Sequence, residues 1–298
     1  MKSPSFNRRQ FLQTSVLGSA LALSGGTTGC KSVEGPPEGK VGTVSHVVKP
    51  ERTPDDGLKI GMASYTYRSF TLDQAIAMTK EAALKYINLK DVHLPLKSTK
   101  EERHAALAKI QAAGLKMMGG GVIYMKNNED EIKNVFDYCV DAGMPVVVCS
   151  PVPDALDTVE KFAKQTGVMV AIHNHGPTDK TYPSPMDVYK MVKDRDPLMG
   201  LCMDVGHTVR IGVDPVECIK QCGDRLHDMH MKDETEALPK GKPTEVGRGV
   251  LDIVGILTAL KARSFPYHIG LEYEANAKDP QPGVRESIGY IRGVLASI

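Results

Sequence analysis

Residues able to do chemistry gather at the ends of apolar runs. The run VAIHNHGP, residues 170–177, closes on His173 and His175. Residues two apart point to the same side of an extended strand, so both imidazoles face one way and Asn174 the other. CMDVGHT contributes Asp204 and His207, HDMHMKDE contributes His230, Lys232 and Asp233, and GLEYE contributes Glu272 and Glu274. An earlier run ends in Lys90, Asp91 and His93. One such end commonly just satisfies a loop. Four in succession, each closing on a group that ligates metals, are hard to explain as packing. Imidazole and carboxylate donors without thiolate suit one divalent ion of Mn, Co, Mg, Fe or Zn rather than a cysteine-rich structural zinc. One donor per run gives His173, Asp204, His230 and Glu272. His175 rivals His173, and Glu274 rivals Glu272, because each shares its neighbour's parity. His207, three beyond Asp204, falls at the rim and suits a substrate contact or support of the ligands.

Groups so far apart in the chain need a scaffold that returns them to one place. From Leu58 onward, short apolar runs alternate with segments of helical spacing, giving eight strand–helix units in about 240 residues, the rhythm of a (β/α)8 TIM barrel. Thr99 and Glu102 predict a capping box, Gly143 a helix stop, and Asp214 with Pro215 a helix start. In a barrel, function collects at the carboxyl ends of the strands. A doubly wound sheet is the alternative, but no GxGxxG loop follows the first strand. GGGVIYM, residues 119–125, needs small residues either for substrate or for close packing.

Residues 1–29 read as a twin-arginine export signal, with Arg8, Arg9 and a short apolar run from Val16 to Leu23. That run is too short to span a bilayer as a mature helix. TTGC ends on Cys30, which reads as the lipidated residue of an envelope or periplasmic lipoprotein, the chain's one membrane contact. Residues 30–57 form a tether with a short strand at Val44–Val48, and 58–298 the catalytic domain. The chain carries 37 Lys and Arg against 36 Asp and Glu, so no basic field for nucleic acid exists. Without residues 1–29, which hold Lys2, Arg8 and Arg9 and no acid, the remainder is slightly acidic. Cys139, Cys149, Cys202, Cys218 and Cys222 form no zinc pattern and read as small core residues.

CMDVGHT, MHMKD and IGLEYE resemble the sugar phosphate isomerase/epimerase superfamily, the xylose isomerase-like barrels, over most of Leu58–Ile298. The resemblance implies metal ligation by Asp204, His230 and Glu272, with His173 in the strand-five slot that the family fills with glutamate. It also implies a small carbohydrate substrate. Epimerases of this kind use two glutamates as opposed bases, and His173 breaks that pair. A neutral ligand leaves more charge on the metal and favours one-way enolate chemistry. The leading expectation is therefore a metal-dependent lyase that removes an α-proton from a keto-sugar or 3-keto-glycoside and eliminates the β-substituent. Glu272, His207 and Lys232 are the expected catalytic groups, and Lys90, His93, His175 and Glu274 the expected substrate contacts. The alternatives are an isomerase or epimerase of a non-phosphorylated keto-sugar and a non-catalytic sugar-binding lipoprotein. An apurinic-site nuclease shares the fold family but needs a multi-zinc cluster, and the balanced charge opposes it.

Overall fold

The structure, a computed structural model, describes Asp55 and residues 57–298. The expected signal, Cys30 and the Val44–Val48 strand lie outside the described residues. Eight parallel strands close into a barrel: β1 (Lys59–Ala63), β2 (Tyr86–Leu89), β3 (Lys116–Met125), β4 (Val146–Pro151), β5 (Met169–His173), β6 (Met199–Asp204), β7 (Leu226–Met231) and β8 (His268–Leu271). Each strand pairs with its sequence neighbours, and β1 pairs with β8 to complete the ring. The expected TIM barrel is the observed fold.

The helices on the outside are α1 (Leu72–Glu81), α2 (Lys100–Ala112), α3 (Glu129–Asp141), α4 (Leu156–Thr166), α5 (Pro185–Val192), α6 (Val205–Arg210), α7 (Pro215–Cys222), α8 (Ile253–Ala262) and α9 (Gln281–Leu295). Thr99 caps α2 through the expected box, with Glu102 answering on the Thr99 amide. Asp214 caps α7 ahead of Pro215. Gly143, at φ 66°, ends α3, as its left-handed conformation requires. One departure matters for the site. Strand β6 is followed by two helices rather than one, because Asp204 accepts the His207 amide and starts α6 at the strand end. No helix among the described residues is long and apolar enough to cross a membrane.

The main core lies between strands and helices, from Ile60, Ile87, Ile172 and Leu201 outward to Phe136, Leu257 and Ile291. The barrel interior is a separate cluster of Val146, Val148, Ala171 and Cys202. Opposite those residues the interior is polar. Asp228 accepts from the Met229 amide and from Asn88 Nδ2, and His268 stands beside it with Nδ1 at 3.5 Å. Gly61 and Gly270 leave room for the His268 ring, since a side chain at either would run into it. GGGVIYM belongs to the packing explanation: a Cβ on Gly119 would meet the Val146 carbonyl at 2.6 Å, and Gly120 and Gly121 are equally tight against Met144 and Val148. The five cysteines after Cys30 are buried and unpaired, as expected.

Candidate metal centre at the strand ends

Strand register decides which side chains meet. Asp204 lies opposite His230, His173 opposite Cys202, and His230 opposite Gly270, two residues short of Glu272. The Glu272 amide continues the ladder to the Met231 carbonyl. All four side chains therefore project inward at the carboxyl end. Asp204, His230 and Glu272 each bring a donor atom within 4.8 Å of the other two. His173 Nε2 joins them at 3.0 Å from His230 Nδ1 and 3.6 Å from Asp204 Oδ2. His230 Nδ1 lies 3.3 Å from Glu272 Oε2.

The residues fit a divalent ion on two counts. Asp204 uses Oδ1 to cap α6, while its Oδ2, fully buried, accepts no hydrogen bond. His173 and His230 turn ring nitrogens on each other, so without a cation one must carry a proton for the other. A buried carboxylate oxygen met only by the Lys232 ammonium, and two imidazole nitrogens turned on each other, are incompletely satisfied, and a cation at this point satisfies every one of these atoms.

Lys232 is the second charge at the centre. It is 2% exposed, with Nζ donating to Glu272 Oε2 at 2.7 Å and to Glu274 Oε1, and 2.9 Å from Asp204 Oδ2. Gly206 makes this possible, because a Cβ there would stand 2.6 Å from the lysine stem. Three carboxylates against one ammonium leave a deficit of two positive charges, which a divalent ion fills when both imidazoles are neutral.

Ionisation follows from this arrangement. Burial pushes His173 down to about 3, so its ring is neutral. Burial also opposes a charged His230, but the adjacent Cys202 and Glu272 outweigh it and hold His230 well above the ordinary imidazole range. Cys202 is itself pushed up to about 12 by burial, so the Glu272 carboxylate is the charge that matters. Burial would raise Asp204 and Glu272 too, yet the histidines and Lys232 around them keep both well below the carboxylate range. A protonated His230 must lose its proton to ligate. Binding of Mn²⁺ is therefore expected to weaken by about tenfold per pH unit below the His230 pKa and to release a proton. Calorimetry in two buffers of different ionisation enthalpy measures that proton; binding without release would mean that His230 is not displaced.

His175 and His207 are half-buried beside the centre, with His173–His175 ring centroids 4.4 Å apart, so the two strand-five imidazoles do face one way. Asn174, facing away, accepts the Asp204 amide and donates to Thr208, tying β5 to β6 and α6. A cavity of about 240 Å³ opens over the cluster, lined by His173, His175, His207, Glu272, Glu274 and Lys90, with Tyr65, Val122 and Tyr124. Lys90 is spoken for by the Val122 carbonyl at 3.0 Å and Asp91 at 3.4 Å.

His93 is not brought to this cavity. Its ring is buried between Ser64 Oγ and the Tyr67 carbonyl, which occupy both nitrogens, so it anchors the β1 loop. Asp233 is structural as well, accepting the amides of Glu234, Gly247, Gly249 and Leu251. Two neighbours escaped the sequence reading. Cys202 sits directly below Asp204 against His230, a position that its parity two residues before Asp204 signals. Glu234 is buried behind Gly206, its nearest cation Arg210 at 3.9 Å, and burial pushes it up to about 7.

A family model described as the xylose isomerase-like TIM barrel matches residues 123–294, more than half of the chain. The chain belongs to that family. Among solved structures it is similar to an uncharacterized protein of Parabacteroides distasonis, at 24% identity and TM-score 0.63, covering 80% of this chain and 99% of that one. The IOLI protein with a bound zinc atom is similar at 18% identity and TM-score 0.69, covering 80% and 99%. D-allulose 3-epimerase from Methylomonas sp. is similar at 13% and 0.65, covering 80% and 98%. At these identities the likeness is one of fold. No curated protein matches the chain.

Proposed function

We propose that the protein is a divalent-metal-dependent isomerase or epimerase of an unphosphorylated keto-sugar, acting by proton abstraction beside the ketone. The cavity over Asp204, His230 and Glu272 carries this reading: the segment after β8 lines it with the carboxylates of Glu272 and Glu274, and the end of β5, the loop after it and α6 line it with the imidazoles of His173, His175 and His207. Similarity in fold to a D-allulose 3-epimerase and to other sugar 3-epimerases supports it. His173, Asp204, His230 and Glu272 would hold the ion, which supplies Lewis acidity to a chelated ketone and so makes its α-proton more acidic. Lys232, with His230, keeps Glu272 ionised, and its two hydrogen bonds orient Glu272 and Glu274 towards the cavity. His175 and His207, both lowered by burial, stay neutral and can accept or return a proton from their own strands. The single cation lining the cavity among the described residues, Lys90, is already paired, which disfavours a phosphate. Export and lipid attachment at Cys30 belong to the same proposal, since free sugar phosphates are scarce outside the cytoplasm.

A second reading, β-elimination from a 3-keto-glycoside, rests on His173. Held near 3 and fully buried, it is too weak a base to replace the glutamate that the family places there. Both readings are tested by incubating the metal-loaded protein in deuterated water with free keto-hexoses and 3-keto-glycosides. Deuterium at the α-carbon with an epimeric or isomeric product supports the first, and a released aglycone the second. No exchange with any of them would leave a sugar-binding protein. His173→Glu adds a fourth carboxylate against one Lys232 and is expected to slow α-exchange by about tenfold or more, while adding a base on the β5 side. An unchanged exchange rate would place His173 outside the chemistry.

A further inference from the structure

Beyond Tyr124 the surface continues into a much larger groove. It encloses about 790 Å³ between the β2–α2 segment and α3, against about 240 Å³ over the metal centre. Tyr124 lines both, and the Lys90–Asp91 ion pair bridges them, with Lys90 on one side and Asp91 on the other. The Tyr124 ring is 70% exposed, and it is held in place by stacking on His175 at 5.8 Å and 19° between planes. Its hydroxyl lies 3.4 Å from His175 Nε2. An aromatic plate thus stands on the border, fixed on one face to the catalytic cavity.

The groove's chemistry is mixed. Leu96 supplies apolar surface over the buried Ile132, while Glu131 and Asn134 stand exposed beside it. Most of its charges are already paired, Arg103 with Asp141 and the Leu96 carbonyl, Asp91 with Lys90 and Asp137 with Lys133, which leaves Lys97 and Glu131 roughly balanced and a neutral, hydroxyl-rich ligand a good match. A sugar ring matches such a surface: its C–H face stacks on an aromatic plate, and its hydroxyls donate to carboxylate and amide oxygens.

We propose that this groove is a second sugar subsite, so that the substrate is an oligosaccharide or sugar–sugar glycoside whose reacting ring sits over the metal centre and whose next ring stacks on Tyr124. This rests on the keto-sugar reading above. The small cavity has room for one ring, and its exit past Tyr124 leads into the groove.

The test is calorimetric binding of glucose, maltose, cellobiose and p-nitrophenyl β-glucoside to the metal-loaded full chain. None of these carries a ketone on the reacting ring, so none is an epimerisation substrate, and product analysis of each sample checks for isomerisation of the free aldoses. At least one disaccharide is expected to bind about tenfold or more tighter than glucose. Tyr124→Ala, which removes the plate, and Asn134→Phe, which fills the groove from α3, should each bring that ratio close to one. Disaccharides no tighter than glucose, or a ratio that survives both variants, overturn the subsite. A gain confined to the nitrophenyl glucoside also overturns it, in favour of an aryl group. If disaccharide selectivity is present but no α-exchange occurs with any keto-sugar, the catalytic reading fails and the groove stands; exchange without selectivity is the reverse.

Discussion

Replacing Asp204 by asparagine is expected to empty the metal centre while the barrel stays folded. The two oxygens of Asp204 have separate tasks: Oδ1 caps α6 through the His207 amide, and Oδ2 faces His173, His230 and the Lys232 ammonium at the centre. Asparagine retains the capping oxygen and removes the charge. Lys232 keeps Glu272 and Glu274, so no buried cation is stranded. The ion loses an anionic donor, and affinity should fall by more than about a hundredfold, beyond what supporting residues of metal sites usually contribute. Elemental analysis after dialysis, with circular dichroism as the check on folding, measures this. Full occupancy in Asp204→Asn would move the centre elsewhere, and His173–Cys202–His230, the other group of close donors among the described residues, would be the place to look.

Lys232→Met is expected to be the most destabilising single change at the site in metal-free protein. It leaves Asp204, Glu272 and Glu274 with the His230 imidazolium as the one cation among them. Breaking a buried pair in this way costs about 3–5 kcal/mol, or roughly 6–20 °C in Tm for a domain of this size. The pH dependence has a definite sign. Neighbouring positive charge, Lys232 included, holds Asp204 and Glu272 below their ordinary pKa, so their contribution to stability is present above the unfolded carboxylate range and lost as pH falls through the depressed values. The gap between wild type and variant should therefore be widest at neutral pH and close in acid, where the carboxylates of the variant take up protons. Mn²⁺ should restore part of the loss at neutral pH, because it returns positive charge to the same place. Thermal melts across pH, with EDTA and with Mn²⁺, give the comparison. A gap that does not change with pH would mean that Lys232 acts through packing of its buried stem.

Much of the centre could be read from strand ends. Parity along an extended strand put His173 with His175 and Glu272 with Glu274, and the structure keeps each pair at the same cavity. The same rule failed for His93, which lies beyond the end of β2, where the chain has turned and a pleat no longer sets direction. Its ring found Ser64 and Tyr67 instead. Parity also says nothing about depth or about how a long side chain bends. Lys232 shares a face with His230, and only the gap at Gly206 shows that its ammonium turns in among the carboxylates.

What the amino-acid order determined by itself is the supply: eight strand–helix units, and imidazole or carboxylate donors at the ends of four neighbouring strands. Hydrophobic periodicity and residue type are local properties, so they survive without coordinates. The tertiary structure alone decided how those donors divide the work. It set one Asp204 oxygen to a helix cap and the other to the centre, placed Lys232 against three acids, held His173 neutral, and led the cavity past Tyr124 into a groove. Each of these depends on distances between strands far apart in the chain. Barrel closure fixes those distances, and electrostatic and hydrogen-bond energies change steeply with every ångström of them.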